Sequence, residues 1–235
     1  MSIQQMETAS TLSKLFSYYK SLSQEEQEAF WSGLPVDVIR LWYSGQFMGM
    51  KQYKVNAADT DFFLMSKEKQ YPAVLAWFKI MKKICPPSVP AQVFRIAYVG
   101  KPVRGKFRYK PLSPLSSWTA SYDGLSTFLH KLPTSVARKK FTDPGFVLLT
   151  LEPPPDIVLI SHESVNEFAQ AYVQLYKKLK PKLNKEDLKN LMISLKIVVP
   201  TLKGTWGKME EVVCFMKKAY PVIASDPKDI RSQVL

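Results

Sequence analysis

Apolar residues recur at helical spacing through the first part of the chain. Leu12, Leu15, Phe16 and Tyr19 fall on one face of a helix, and the stretch 72–84 repeats this pattern. Such spacing is typical of amphipathic helices that pack on a core. The aromatic residues of this region are therefore interpreted as core or as a docking surface, not as part of a cofactor site.

Two local signals mark helix starts within this region. Ser23 and Glu26 form a capping box, in which each side chain accepts the other's backbone N–H, and this predicts a helix to about Trp31. Leu34-Pro35 predicts a further helix through Trp42, because proline is tolerated in the first turn of a helix.

The pattern changes after the proline-rich run 86–90, which contains three prolines and favours an extended linker. The sequence therefore predicts a helical region over residues 1–85 and a second domain over residues 91–235. In that domain, short apolar runs predict strands and longer amphipathic runs predict helices. The predicted strands cover 93–99, 105–109, 146–151, 157–160 and 211–216, and the predicted helices cover 122–132, 165–179 and 185–195. The expected fold class is α+β.

The chain is strongly basic, with a formal net charge of +13. Residues 1–90 contain 10 Lys and Arg against 8 Asp and Glu, so most of the excess lies in the second domain. A field of this sign attracts nucleic acids, nucleotides and acidic proteins. The alternative interpretation is a solvated, lysine-rich surface that serves solubility.

Cysteine and histidine are scarce. Cys85 and Cys214 lie far apart, and two histidines without a CxxC pair do not make a zinc site. We expect free thiols in a reducing compartment, no metal, no membrane span and no secretory signal, because the first ten residues lack a basic and an apolar segment.

Three polar residues stand out within the predicted strands. Arg95 interrupts an apolar strand, and a buried guanidinium needs an anion unless it points to solvent. Ser117 lies in a Ser- and Thr-bearing strand that leads into a helix with Ser121 or Asp123 as its N-cap. Glu211 opens an apolar strand. Each feature alone is also compatible with an ordinary solvated strand.

A fourth feature is a basic stripe. Arg104, Lys106, Arg108 and Lys110 alternate along an extended segment and share one face. This spacing fits a surface that follows phosphates, in DNA, RNA or a nucleotide. It also fits an exposed edge strand whose charges prevent aggregation.

In their order along the chain, Phe94-Arg95, Ser117-Trp118-Thr119 and Glu211-Val212-Val213 resemble the R–S–E pattern of ADP-ribosyltransferases. The Ser-Ser-Trp-Thr segment is most similar to phage and bacterial members of the arginine-type branch. The resemblance covers roughly residues 91–216. It implies a split β-sheet core with 163–195 as a helical insertion, NAD as the donor, and a host protein or nucleic acid as the acceptor.

The resemblance also implies roles for these residues. Arg95 would bind the pyrophosphate of NAD, because a guanidinium binds it through two hydrogen bonds. Ser117, with Thr119, would position the ribose, and Glu211 would stabilise the positive charge that develops on the sugar. Tyr98 or Trp118 would line the nicotinamide pocket by stacking.

The Glu-x-Glu motif of the arginine-specific members is incomplete, because Met209 stands two residues before Glu211. In the alternative alignment, Glu210 is the second glutamate and Lys208 stands two residues before it. The sequence therefore leaves open a different acceptor, NAD hydrolysis, or an inactive scaffold. Such a scaffold would be a basic nucleic-acid-associated or virion protein, or a structural protein that docks on a viral assembly through its aromatic N-terminal region. The expected location is the host cytoplasm or the virion.

Overall fold

The structure is a computed structural model. It describes residues 3–31, 38–39, 67–111, 114–131, 139–180, 182–186, 188–189, 191–193, 195–196, 204 and 208–229. The predicted helix 34–42 lies outside these residues except at Val38 and Ile39. A short apolar run that follows the predicted helix 185–195, Ile197-Val198-Val199, lies outside them entirely.

The chain divides into two compact units. The helical unit comprises Met1–Pro86 and Glu163–Lys203, and the sheet unit comprises Pro87–His162 and Gly204–Leu235. The segment 163–195 thus belongs with the N-terminal helices, whereas the sequence predicted it as an insertion in the second domain.

Four main helices fall in the described part of the helical unit. They are α1 (Ile3–Lys20), α2 (Gln24–Trp31), α3 (Lys67–Ile84) and α5 (His162–Leu179). The predicted capping box at the start of α2 is confirmed: Ser23 N–H donates to Glu26 Oε2 at 2.8 Å, and Glu26 N–H donates to Ser23 Oγ at 3.2 Å. All of the described residues between 185 and 196 are also helical.

An aromatic cluster explains why α5 packs with the N-terminal helices. The rings of Phe30, Trp31 and Tyr172 are all buried, and their centroids lie 4.9 to 5.3 Å apart. The Tyr172 hydroxyl also donates a hydrogen bond of 2.8 Å to the Phe30 carbonyl. Phe30 and Trp31 are thus core residues, one of the two interpretations that the sequence left open, whereas Trp42, Phe62 and Phe63 lie outside the described residues.

The sheet unit is built on one seven-stranded sheet in which all recorded strand pairs are antiparallel. The strand order is β2-β7-β4-β1-β3-β6-β5. The strands are β1 (Val93–Tyr98), β2 (Gly105–Tyr109), β3 (Leu115–Thr119), β4 (Phe146–Leu151), β5 (Val158–Ser161), β6 (Glu211–Phe215) and β7 (Tyr220–Ser225). Helix α4 (Tyr122–Lys131) follows β3. The expected α+β class is confirmed.

Helix α4 defines the two faces of the sheet. Phe94 and Ile96 of β1 pack with Leu125 and Leu129 of α4, on what we call the α4 face. Because side chains alternate along a strand, the neighbouring residues of β1 point to the far face. The core cluster on that far face includes Val93, Ala97, Trp118, Leu149, Val212 and Cys214.

None of the helices in the described ranges combines the length and the apolar character needed to cross a membrane.

Candidate functional site

The three strands that carry Arg95, Ser117 and Glu211 are neighbours in the sheet. Strand β3 lies between β1 and β6, although the three segments are far apart in sequence. Thr119 pairs with Phe94 on one side and with Glu211 on the other. Arg95 therefore lies one residue beyond the row that contains Glu211.

Strands β1 and β3 separate next to Arg95. Strand β1 pairs with β4 from Val93 to Tyr98, but its recorded pairing with β3 is confined to Phe94 and Thr119. By contrast, β3 pairs with β6 along its whole length. A gap therefore opens between β1 and β3 on the side of Arg95, and we call it the split.

The split exposes the backbone of Ser117. Ala120 N–H donates to Glu210 O at 3.0 Å, and Met216 N–H donates to Pro114 O at 2.7 Å. In an antiparallel sheet, the N–H and C=O groups of successive residues point alternately to the two neighbouring strands. Residues 114 and 120 bond to the β6 side, so the odd-numbered Ser117 directs its C=O towards β1. The Arg95 guanidinium occupies this place: its Nη1 donates to Ser117 O at 2.9 Å.

Arg95 is partly buried and retains most of its hydrogen-bonding capacity. Within the described residues, the bond to Ser117 O is its one hydrogen bond, and no carboxylate there forms an ion pair with it. A guanidinium carries five N–H donors. The arrangement therefore leaves a partly desolvated cation in the split that an anion can neutralise.

Ser117 and Glu211 share a face, and Arg95 does not. Ser117, Thr119 and Glu211 fall on the α4 face by register, and Ser117 and Glu211 are diagonal neighbours, roughly 7–8 Å apart. Alternation directs Arg95 to the far face, from which its guanidinium reaches the Ser117 carbonyl. Arg95 and Ser117 thus meet at the split, whereas Glu211 lies on the other side of β3 and leaves the sheet on the face opposite to Arg95.

The backbone before Glu211 is fixed against β3 and α4, at a place that we call the junction. The Thr119 hydroxyl donates to Met209 O at 2.7 Å, and Gly124 N–H donates to Ser121 Oγ at 3.0 Å, which makes Ser121 the N-cap of α4. A Cβ on Gly124 would lie 2.5 Å from Met209 O, so only glycine allows this approach. Glu210 adopts a positive φ of 46°.

The junction limits what two of the predicted residues do. The Thr119 hydroxyl has two carbonyl acceptors within the protein, Met209 O at 2.7 Å and Ser121 O at 3.2 Å, so its single proton is used there and Thr119 can offer a ligand only an acceptor. The same bond holds the backbone two residues before Glu211, where β6 begins. Thr119 therefore acts first as a positioning residue for the glutamate.

Trp118 is part of the core and does not line a pocket. It is 2% exposed, its Nε1–H donates to Ser116 Oγ at 3.0 Å, and its ring packs edge-on against Tyr109. Tyr98, by contrast, is 61% exposed and lies edge-on to Phe146 with centroids 5.1 Å apart. Of the two aromatic residues proposed for nicotinamide stacking, only Tyr98 is accessible.

A residue that the sequence did not single out is Lys140. The described residues 139–142 are helical, and the Lys140 Nζ lies 4.9 Å from the centroid of the Phe146 ring. Burial lowers the pKa of Lys140, and the positive charge of Arg95 lowers it further. The sequence offers only a basic run at this point, which does not distinguish Lys140 from its neighbour Lys139.

The basic stripe lies along β2 and the residues next to its ends, and among the described strands β2 is at the edge of the sheet and pairs with β7. Arg104 forms an exposed ion pair with Asp226 at 3.2 Å, and the Arg108 Nη2 donates to Ala219 O at 2.9 Å. Lys106 and Lys110 are exposed. Two of the four side chains are thus held by the protein itself.

In the described ranges, no group of three or more His, Cys, Asp and Glu side chains is arranged to hold a metal ion. Comparisons of the chain with protein-family models, with curated proteins and with solved structures found no match. The functional assignment therefore rests on the residues of the split and the junction.

Proposed function

We propose that the sheet unit binds NAD at the split and that the protein is a mono-ADP-ribosyltransferase-like enzyme of the phage type. The observation that carries this proposal is the adjacency of the strands bearing Arg95, Ser117 and Glu211, joined by the hydrogen bond from Arg95 to Ser117 O. A split sheet lets a dinucleotide reach groups from both faces. This matters because Arg95 and Glu211 leave their strands on opposite faces.

The three groups supply complementary chemistry. Arg95 offers its remaining N–H donors to the pyrophosphate, and Ser117 offers a hydroxyl to the nicotinamide ribose. Glu211 provides a carboxylate next to the sugar, which stabilises positive charge at C1′ as the bond to nicotinamide breaks. The bonding electrons leave with nicotinamide, the acceptor attacks C1′, and the acceptor loses one proton.

The acceptor is less specified than the donor. Met209 stands where arginine-specific enzymes carry the first glutamate, and its carbonyl is bound to Thr119. The Met209 side chain has no group that could orient a guanidinium. Water is therefore the acceptor to test first, and a host protein or nucleic acid the acceptor to test next.

The decisive experiment measures binding and hydrolysis of NAD by the purified full chain. We expect saturable NAD binding by calorimetry and release of nicotinamide, with Glu211→Gln lowering the rate about hundredfold while binding persists. Glu152→Gln removes an exposed carboxylate just after β4 and serves as the matched control. Glu210→Gln tests the alternative alignment. Failure of the wild-type chain to bind NAD at millimolar concentration overturns the proposal.

A second candidate function is polyanion binding along β2. It is favoured by the exposure of Lys106 and Lys110 on an edge strand. Lys106→Glu should weaken binding to a short DNA or RNA duplex and reduce its salt dependence, whereas Lys177→Glu makes the same charge change in the helical unit. Equal effects of the two variants would mean that the net charge alone attracts the nucleic acid.

A further inference from the structure

Strand β2 has one paired side and one open side. Among the described strands it pairs with β7, and none of them lies on its other side. Gly105 and Lys106 are exposed, and a Cβ on Gly105 would meet nothing within 4 Å apart from its chain neighbours. An edge strand leaves a row of N–H and C=O groups unpaired, and another extended chain can pair with them. The open side of β2 can therefore accept an added strand.

The two faces of β2 differ in character. Register places Lys106 in one row with Ile223 and Phe94, on the α4 face. Ile223 is 52% exposed, so the α4 face is open at this end of the sheet. Phe107 and Tyr109 belong to the core on the far face, and Phe107 is only partly buried there. A strand added next to β2 would thus meet cations on one face and an aromatic side chain on the other.

A carboxylate already binds the first cation of the basic stripe. Asp226, which follows β7, lies with its Oδ2 3.2 Å from the Arg104 Nη2. Asp226 is on the β7 side, so it leaves the open side of β2 free. Within the described residues, Lys106 and Arg108 form no ion pair with a carboxylate. The stripe therefore accepts carboxylates and has two further cations to offer.

We infer that β2 binds an extended segment of a partner protein in which acidic and apolar residues alternate. Lys106 and Arg108 are two residues apart, roughly 7 Å, which is also the spacing of side chains i and i+2 in an added strand. Acidic side chains would lie beside these two cations, and an apolar side chain would cover Phe107. The site shares its cations with the second candidate function, but it requires neither nucleic acid nor NAD.

The strand edge favours a peptide over a nucleic acid. The edge offers donors and acceptors in alternation, and a peptide strand supplies both in return. A phosphate backbone supplies acceptors to its ligands, so it would leave the C=O groups of the edge facing negative charge. A second copy of this chain is a poor occupant as well. Two β2 strands side by side would bring their lysines and arginines together, and like charges across a strand pair are destabilising.

The test measures binding of a synthetic octapeptide, in which Glu and Val alternate, to the purified full chain by fluorescence anisotropy. Two backbone variants of the peptide keep its charge. One carries N-methyl groups on the odd-numbered amides and the other on the even-numbered amides. Only one of these sets faces β2, so one variant should bind at least roughly tenfold more weakly and the other should bind like the parent peptide. No binding of the parent peptide, or equal binding of all three peptides, overturns the inference.

A charge exchange tests the side chains. Lys106→Glu/Arg108→Glu should bind the Glu–Val peptide roughly tenfold or more weakly and should bind the corresponding Lys–Val peptide in its place. Lys177→Glu/Lys182→Glu makes the same charge change at exposed positions of the helical unit and serves as the matched control. Equal effects of the two double variants would show that net charge, and not β2, attracts the peptide.

Hydrogen exchange on the wild-type chain keeps the test valid if the β2 variant fails to fold. The Glu–Val peptide should slow exchange of the amides in 105–109 and leave the rest of the sheet unchanged. A DNA or RNA duplex that binds while the peptide does not would overturn the inference and retain the second candidate function. Peptide binding without duplex binding would do the reverse, and neither result depends on NAD. Self-association of the chain through β2 would also contradict the inference.

Discussion

Gly124 is the point at which helix α4 approaches the backbone before β6, and Gly124→Ala tests whether the junction is needed. A Cβ at this position would lie 2.5 Å from Met209 O and would overlap the Thr119 hydroxyl. Either α4 must move away from the sheet or the segment carrying Met209 must shift. Both movements break the hydrogen bond between Thr119 and Met209.

The expected size follows from three opposing terms. Overpacking of this kind costs about 1–3 kcal/mol, and loss of the Thr119 hydrogen bond costs about 1 kcal/mol more. Alanine in place of glycine in a helix returns up to about 1 kcal/mol. We therefore expect Gly124→Ala to lower the free energy of unfolding by about 2 kcal/mol.

Urea unfolding and hydrogen exchange together measure this effect. The amide of Ala120, which donates to Glu210 O, should exchange faster in Gly124→Ala, and peptides covering 115–125 and 209–215 should lose protection. Ser126→Ala, further along α4, is the helix control and should stay within about 0.5 kcal/mol.

A double variant identifies the contact responsible. In a Thr119→Ala background the overlapping hydroxyl is gone, so Gly124→Ala should cost less than it does in the wild-type chain. Unchanged stability and unchanged exchange in Gly124→Ala would refute the junction as a packed contact. Equal costs in the two backgrounds would show that Thr119 is not the group that is displaced.

Three further predictions concern the helical unit. Tyr172→Phe leaves the buried Phe30 carbonyl without the tyrosine donor and should lower the free energy of unfolding in urea by about 1–3 kcal/mol. A smaller loss would mean that another donor replaces the hydroxyl. Burial raises the pKa of Cys85 to about 12, so its thiol should resist alkylation at pH 8 until the chain is denatured. Fast alkylation of the folded chain would contradict this burial. Hydrogen bonds from Ser23 lower the pKa of Glu26 below its ordinary value of 4.5. The capping box should therefore add stability above that pH and lose it as the pH falls through the lowered pKa, which an NMR titration of Glu26 against Glu25 would check.

Local signals were sufficient for many of the elements. Strands β2 and β4 begin and end where the apolar runs predict, and α2 begins at its capping box, because alternation and capping depend only on residues a few positions apart. Strand β7 was not predicted, since Pro221 interrupts its short apolar run. It forms because it pairs with β2 on one side and with β4 on the other.

For the candidate site, too, local sequence signals account for one part and tertiary contacts for the other. The sequence alone identified an arginine, a serine and a glutamate of suitable chemistry, and it determined that each lies in or at the start of a strand. Only the tertiary structure decided that β1, β3 and β6 are neighbours, that Trp118 is buried, and that Lys140 lies over the Phe146 ring. The physical reason is that strand pairing and burial are set by residues distant in the chain, whose contacts no local pattern specifies.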